Sequence, residues 1–325
     1  MTMILAGSDS GSIELAAQRI AAGGLVAFPT ETVYGLGARA DSNAAVAAIF
    51  AAKGRPADHP LIVHLADAEH AARFAERIEA PARRLIEAFW PGPLTVIVRR
   101  APGIAQAAAG GQPSIGLRCP AHPVARALLA RCAALGVAGI AAPSANRFGR
   151  ISPTTAGHVA DEFGAELMVL DGGPCSVGIE STIVDCSRGG AVLLRPGVQE
   201  RSAIEAVLDA PLAERDADAP RASGTLAAHY APRARLRLKA TAALHMAQSS
   251  APGLAVYSRT RPVLPAGVVW RAMPGDAGLA AQALFATLRE LDQPGVREIW
   301  VEQPPDAPEW EGVLDRLQRA AAAHE

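Results

Sequence analysis

The sequence predicts an α/β protein, with a mixed sheet flanked by helices and a smaller α/β unit after a long linker. Three observations predict it. Short apolar runs that read as buried strands alternate with helical segments, but unevenly, which fits a sheet with some antiparallel pairs better than a strict parallel repeat. Residues 209–234 change character, acidic and Ala/Pro-rich first and arginine-containing later, and are too long for an ordinary connection. Beyond them, strand-like runs and helical segments alternate again. The expected division is therefore 1–208, a linker 209–234, and 235–325. A length of 325 residues favours two domains over one, and a hydrophobic share of 50% is enough for a sizeable core.

In chain order, residues 12–22 read as an amphipathic helix with Ile13, Ala16, Ala17 and Ile20 on one face. Gly24–Phe28 reads as a short buried strand that turns through Pro29 and the hydroxyl-rich Thr30-Glu31-Thr32 into Gly35-Leu36-Gly37. Asp41 and Ser42 are good N-caps for a helix burying Val46, Ile49 and Phe50. That helix stops at Lys53-Gly54-Arg55-Pro56, which should leave Lys53 and Arg55 on an exposed turn beside the next buried strand, Leu61–Leu65. Helical segments 67–77 and 81–89 follow, then strand Leu94–Val98, a Gly/Ala-rich loop over 101–113, strand Ser114–Arg118 and a helix from Pro123 to Ala133. Strand 139–142 runs into a loop, 144–155, in which Ser152 or Thr154 can cap the next helix. Strands Leu167–Leu170, Ser181–Asp185 and Val192–Arg195 and a helix from Glu200 to Leu208 complete the first unit. In the second, 254–257, 268–270 and 298–301 are strand-like, and 241–249, 276–291 and 309–323 helical.

Composition excludes several function classes. A formal net charge of -1 argues against non-specific nucleic-acid binding, which needs a basic face, but leaves room for a small basic cleft. Cys119, Cys132, Cys175 and Cys186 are far apart and form no C-x-x-C pair, so free thiols in a reducing cytoplasm are expected rather than a zinc or dithiol site. No signal peptide and no membrane-length apolar run is visible. Arginine is the default cation, and Lys53 and Lys239 are the chain's two lysines. Lys53 is thus a candidate for a place where a compact ammonium is needed, although one of two lysines had to fall somewhere.

The candidate chemistry is recognition of an anionic nucleotide at one sheet edge. Lys53, Arg55, Arg118 and Arg195 suit phosphates or a carboxylate, and Ser114, Ser144, Ser152 and Ser181 offer hydroxyls. Glycines 35, 37, 172 and 173 let backbone approach a ligand. There is no P-loop, no G-x-G-x-x-G after the first strand, no G-x-S-x-G elbow and no H-E-x-x-H pair, so any ATP is bound by a non-Walker constellation. Each residue has a plainer reading. His64 lies in an apolar strand, where a histidine is more often a satisfied core residue. Arg118 and Arg195 stand at strand ends, Asn146 follows a Pro turn, and Tyr230 can simply anchor the linker. Convergence, not any single residue, carries the expectation.

Nine motifs in order, PTETVYGLG, KGRP, HPLIVHL, WPGPLTVIV, SIGLRCP, APSAN, SPTTA, GIESTIVD and LLRPG, resemble the YrdC-like threonylcarbamoyl-AMP synthases over about residues 24–197. HYAP at 229–232 and the segment after it resemble the long, two-domain form of that family. The resemblance implies a twisted mixed α/β sheet with a concave basic cleft, plus a smaller Rossmann-like domain. It implies an enzyme that makes threonylcarbamoyl-AMP and pyrophosphate from L-threonine, bicarbonate or CO2, and ATP with Mg2+. The product would pass to a tRNA threonylcarbamoyl-transfer complex, and a direct tRNA contact stays open. By the same resemblance Lys53, Arg55, His59, Ser114, Ser144, Asn146, Ser152, Arg195 and Tyr230 lie on the ATP side, with Lys53 and Arg55 facing the phosphates. Threonine is expected against Thr32, His64, Arg118, the backbone near Ala142, and Ser181, and the linker is expected to fold over the cleft as a lid. Metal ligands from the protein are not identifiable.

This chain departs from the family pattern at His59, where Asn is usual, and at Phe148, where a small hydroxyl is usual; the linker start Ala222–Thr225 lacks a frequent Pro. Two other readings compete. A carbamoyl-adenylate-forming domain of the hydrogenase-maturation type would bring acylphosphatase and zinc-finger segments, and this chain shows neither. An RNA-binding or ribosome-associated module of the same fold would favour a basic surface, against the net charge here.

Overall fold

A computed structural model describes residues 3–164, 167–245 and 253–324. Its strands are β1 (Met3–Ala6), β2 (Val26–Phe28), β3 (Gly35–Arg39), β4 (Ile62–His64), β5 (Leu94–Arg99), β6 (Ser114–Arg118), β7 (Ile140–Ala141), β8 (Met168–Asp171), β9 (Thr182–Asp185) and β10 (Val192–Arg195), then β11 (Arg235–Lys239), β12 (Leu254–Ser258), β13 (Val269–Ala272) and β14 (Glu298–Glu302). The helices are α1 (Ser10–Ala21), α2 (Asn43–Lys53), α3 (Ala71–Phe74), α4 (Ala80–Phe89), α5 (Pro123–Ala134), α6 (Ala156–Phe163), α7 (Arg201–Leu208), α8 (Thr241–His245), α9 (Ala277–Leu291) and α10 (Glu311–Ala322). The first ten strands form one mixed sheet in the order β1-β8-β2-β3-β7-β4-β6-β5-β9-β10. The last four form a second sheet, β11-β14-β12-β13, in which every pair is parallel.

The alternation of each strand decides what covers the large sheet. One set of side chains, including Leu36, Val63, Val96, Leu117 and Val184, packs under Val46 and Ile49 of α2, Leu85 of α4, Val159 of α6 and Ile204 of α7. On the opposite face Val26, Phe28, Ile140, Met168 and Leu170 pack under α1 and α5. Those two helices cover only the half of that face near β8, β2 and β7. Over β5, β9 and β10, Ile97, Ile183, Val192 and Leu194 are met instead by Ala219 and Ala222 of the linker. A cleft lies between these two covers.

Local chemistry sets the element ends. Asp9 and Ser42 cap α1 and α2, accepting from the backbone N–H of Ser12 and Ala45. Gly54 ends α2 in the left-handed conformation at φ 63°. The cap of α6 is Thr155, which accepts from the His158 N–H; Ser152 and Thr154, the expected caps, do not fill that place. Three strands escaped the sequence reading. β1 is a short edge strand with exposed Met3 and Ile4, and β11 spells alternating Arg and Leu. β3 is hidden by its glycines, yet these are sheet residues: a Cβ on Gly37 would lie 2.7 Å from Phe28 and 2.8 Å from Ile140. α3 spans only Ala71–Phe74 rather than 67–77, and the part of the expected 241–249 helix beyond His245 lies outside the described residues.

One expectation is overturned outright. Lys53 and Arg55 are not on an exposed turn; they are 3% and 9% exposed. Lys53 lies on the buried face of α2 and reaches the loop that follows β7, and the αL turn at Gly54 brings Arg55 under the linker.

Candidate active site

The site is built from alternate residues of neighbouring strands. In the β4–β6 register His64 pairs with Arg118, so both side chains leave the sheet on the half-covered face. Thr95 of β5 points the same way, and its hydroxyl lies 2.7 Å from that of Ser181, just ahead of β9. Gly116 keeps that face low, since a Cβ there would meet the Thr95 methyl at 3.3 Å. Four loops close the rim: 30–33 after β2, 142–146 after β7, 180–181 before β9, and 223–230 of the linker. The cavity between them is about 50 Å³, room for a few waters, and is partly open to solvent.

Thr32, His64, Arg118, Ala142 and Ser181, the five residues expected around threonine, all line this cavity. The Arg118 guanidinium donates to Thr32 Oγ1 at 2.8 Å and to the Gly92 carbonyl at 3.1 Å, and its Nη2 lies 2.7 Å from Glu31 Oε1. Glu31, which sequence reasoning did not single out, also accepts from the Ala121 N–H at 3.1 Å. Burial would raise its carboxyl pKa, but Arg118 outweighs this and holds it below the usual range. Burial, helped by Arg118, pushes the His64 imidazole down to about 3, so it stands neutral.

The residues expected around ATP divide. Arg55, Ser144, Arg195 and Tyr230 line the same cavity. Arg195 donates from Nε and Nη2 to the Ser181 carbonyl at 3.0 and 2.8 Å, and from Nη1 to the Ser223 carbonyl at 2.8 Å. Arg55 donates to the Pro60 carbonyl at 3.0 Å and to Ser223 Oγ at 3.3 Å; burial lowers its pKa to about 10. Lys53 sits behind this layer. Its ammonium donates to the Ser144 carbonyl at 2.6 Å and to the Asn146 carbonyl, and burial pulls its pKa down. Asn146 is buried beside it and donates to the carbonyls of Arg147 and Arg150 at 2.7 and 2.9 Å. Ser152 donates to the Glu180 carboxylate, and Ser114 lies under the linker in a separate small void.

His59 borders an outer cavity of about 100 Å³ with Arg55, Phe148 and His229. Its ring centroid is 5.4 Å from that of Phe148, which in turn is 6.1 Å from His229. The two departures from the family pattern therefore touch each other and the linker. Burial lowers the His59 pKa, with Arg55 adding to it.

Buried polar atoms without hydrogen-bond partners gather at this site: Arg55 Nε, His64 Nδ1, Asn146 Oδ1, His229 Nδ1 and Tyr230 Oη. Each such atom costs about 1–3 kcal/mol unless something binds it, so their concentration marks a ligand site. Tyr230 itself holds a positive φ of 63°, a conformation an aromatic residue adopts only when its surroundings impose it. Glu180, Ser223, Gly224 and His229 also line the cavity; Glu180, inside the GIESTIVD motif, was not singled out, and the linker was expected over the cleft without these three residues being named for the site.

Two family models match the chain. One, Sua5_yciO_yrdC, described as "Telomere recombination", covers residues 18–197, and one described as "Threonylcarbamoyl-AMP synthase, C-terminal domain" covers 200–322. The threonylcarbamoyl-AMP synthase of Bacillus subtilis is 36% identical over 313 residues, 91% of this chain and 89% of that protein. That of Pyrococcus abyssi is 42% identical over 232 residues, 70% of this chain and 67% of that protein. Among solved structures, P. abyssi Sua5 complexed with L-threonine superposes with a TM-score of 0.90 at 33% identity, covering 99% of this chain and 98% of that one. The fold agrees with these matches, and the chain belongs to the Sua5/YciO/YrdC family in its two-domain form.

Proposed function

We propose that the chain is an L-threonylcarbamoyladenylate synthase, a nucleotidyltransferase that joins L-threonine, bicarbonate or CO2, and ATP. One observation carries this reading: two residue sets, one suited to an amino acid and one to a nucleotide, meet on a single cavity rich in unpartnered polar atoms. The activity shared by the relatives supports it.

Threonine lies against Thr32, His64, Arg118, the Ala142 backbone and Ser181, with its carboxylate on the remaining N–H donors of Arg118. His64, being neutral, adds a hydrogen bond without a charge. The neutral threonine amine adds to the carbon of CO2, whose C–O π electrons move to oxygen, and the proton lost from nitrogen passes to water, leaving the carbamate. A carbamate oxygen then attacks the α-phosphorus of ATP, and pyrophosphate leaves with the electrons of the Pα–O bond. Bringing two anions together requires fixed positive charge, which Arg55 and Arg195 supply. Lys53 acts one layer back, holding the Ser144–Asn146 backbone in place. His59, Ser114 and Ser152 frame the nucleotide side.

Mg2+ arrives on the phosphates and neutralises part of their charge. The carboxylates at hand, Glu31 and Glu180, are occupied by arginines, and no group of three or more His, Cys, Asp or Glu suited to a metal occurs among the described residues. The residues present thus fit a metal carried by the substrate. Ser223, Gly224, His229 and Tyr230 of the linker line the cavity, and in this reading the linker 209–234 opens to admit ATP and closes to exclude water. The division into 1–208, the linker and 235–325 belongs to the same reading, as does delivery of the product to a cytoplasmic tRNA-modifying complex.

The test is pyrophosphate release by the purified protein with ATP, Mg2+ and bicarbonate, comparing L-threonine, L-serine and no amino acid. Release should depend on bicarbonate and favour threonine over serine by about 10–200-fold, the worth of one methyl group in a fitted pocket. Equal release without an amino acid would refute the reading.

A further inference from the structure

The second unit sends one side chain into the wall of the cleft. Arg316 of α10 is 1% exposed and heads the fully buried side chains in size. Its Nε donates to Glu180 Oε2 at 2.8 Å and its Nη2 to the Glu180 carbonyl at 3.1 Å. Nη1 donates to the Pro196 carbonyl at 2.8 Å and to Asp315 Oδ2 at 2.6 Å. The guanidinium carbon lies 5.4 Å from the centroid of the Tyr230 ring. Glu180 and Pro196 directly adjoin Ser181 and Arg195, so Arg316 ties together the two backbone segments that present those side chains.

Glu180 is the one carboxylate among the residues lining the cavity. Its two oxygens are drawn off by Ser152 and Arg316. Without Arg316 a buried anion would face the site where Arg55 and Arg195 must receive a triphosphate. We propose that Arg316 is a positioning residue for ATP, acting by masking the charge of Glu180 at the wall of the cleft. The C-terminal unit then completes the catalytic cleft. This inference rests on the ATP-using reading above.

The experiment is calorimetric titration of Mg-ATP into the wild-type protein, Arg316→Gln, Arg316→Lys and the double variant Glu180→Gln/Arg316→Gln, with kcat and KM for ATP from pyrophosphate release. Arg316→Gln should weaken ATP binding by about tenfold or more, a like-charge effect felt mainly in KM. Arg316→Lys should fall between it and wild type. The double variant should return to within about threefold of wild type, because it removes the exposed charge; a merely structural arginine would not be rescued by changing its partner. Breaking a buried ion pair can unfold a protein. If Arg316→Gln does not fold, wild-type ATP affinity in the folded double variant supports the proposal. A double variant as weak as the single one, or an Arg316→Gln protein that binds ATP as wild type does, overturns it. Wild-type protein that binds no ATP removes the proposed function, and this inference with it.

Discussion

His64 and His229 show at the scale of single residues how the site constrains the fold. Both are buried, and burial drives each imidazole pKa down to about 3. Above the unfolded value of about 6.5 neither state is charged, and they contribute nothing to the pH dependence. Below it the unfolded chain takes up protons that the folded chain refuses, so stability falls as pH drops from about 6.5 toward 3. At pH 5 the loss is about 2 kcal/mol for each histidine. Urea unfolding at pH 8, 6.5 and 5 should show this decline, and His64→Asn should make it shallower; an unchanged slope in the variant would contradict the assignment. Family resemblance, not residue type, grouped Thr32, His64, Arg118, Ala142 and Ser181, and the fold brings these five to one cavity. Their partners were not legible in the sequence. Glu31 reads as part of a turn, and Arg316 reads as an ordinary charge on an amphipathic helix until packing shows it buried.

At the scale of elements the linker is the most consequential. It carries no regular structure over the cleft, yet it is held in place by specific bonds. Ser223 Oγ donates to the Pro60 carbonyl at 2.7 Å, and the Ala231 N–H to the Gly149 carbonyl at 2.8 Å. Gly224 sits at φ 72°, and a Cβ there would lie 2.2 Å from Tyr230 Oη and 2.8 Å from Arg195 Nη1. Gly224→Ala should therefore unseat the closed linker. We expect kcat/KM for ATP to fall by about tenfold or more while the melting temperature drops by about 4 °C, since a left-handed non-glycine residue costs about 1–2 kcal/mol. Wild-type kcat/KM would show that closure does not depend on this turn. Most strands and helices of the first unit were legible from period and breakers. β3 was not, because its glycines read as loop chemistry when they are in fact required by Phe28 and Ile140 packed above them.

At the scale of the whole molecule the two sheets are joined through the site rather than beside it. Val33, Ile151, Ile179 and Tyr230 share a core with α9 and α10. Arg289 of α9 donates to the Ile151 carbonyl and pairs with Glu162 at 2.8 Å. Gly178 packs so tightly on α9 that a Cβ would lie 2.4 Å from Gln282 Cα. Sequence period revealed a second α/β unit, but this docking depends on long-range complementarity that no local pattern encodes. No helix among the described residues is long and apolar enough to cross a membrane.

Carbamate and nucleotide chemistry meeting in one cavity must yield a single adduct that carries both partners. The most direct measurement is mass spectrometry of the adenylates formed within seconds from ATP, Mg2+, L-threonine and carbon-13-labelled bicarbonate. An AMP adduct carrying both threonine and the labelled carbon is the predicted result. Turnover of ATP with no such adduct, or a threonine adduct lacking the label, would contradict it.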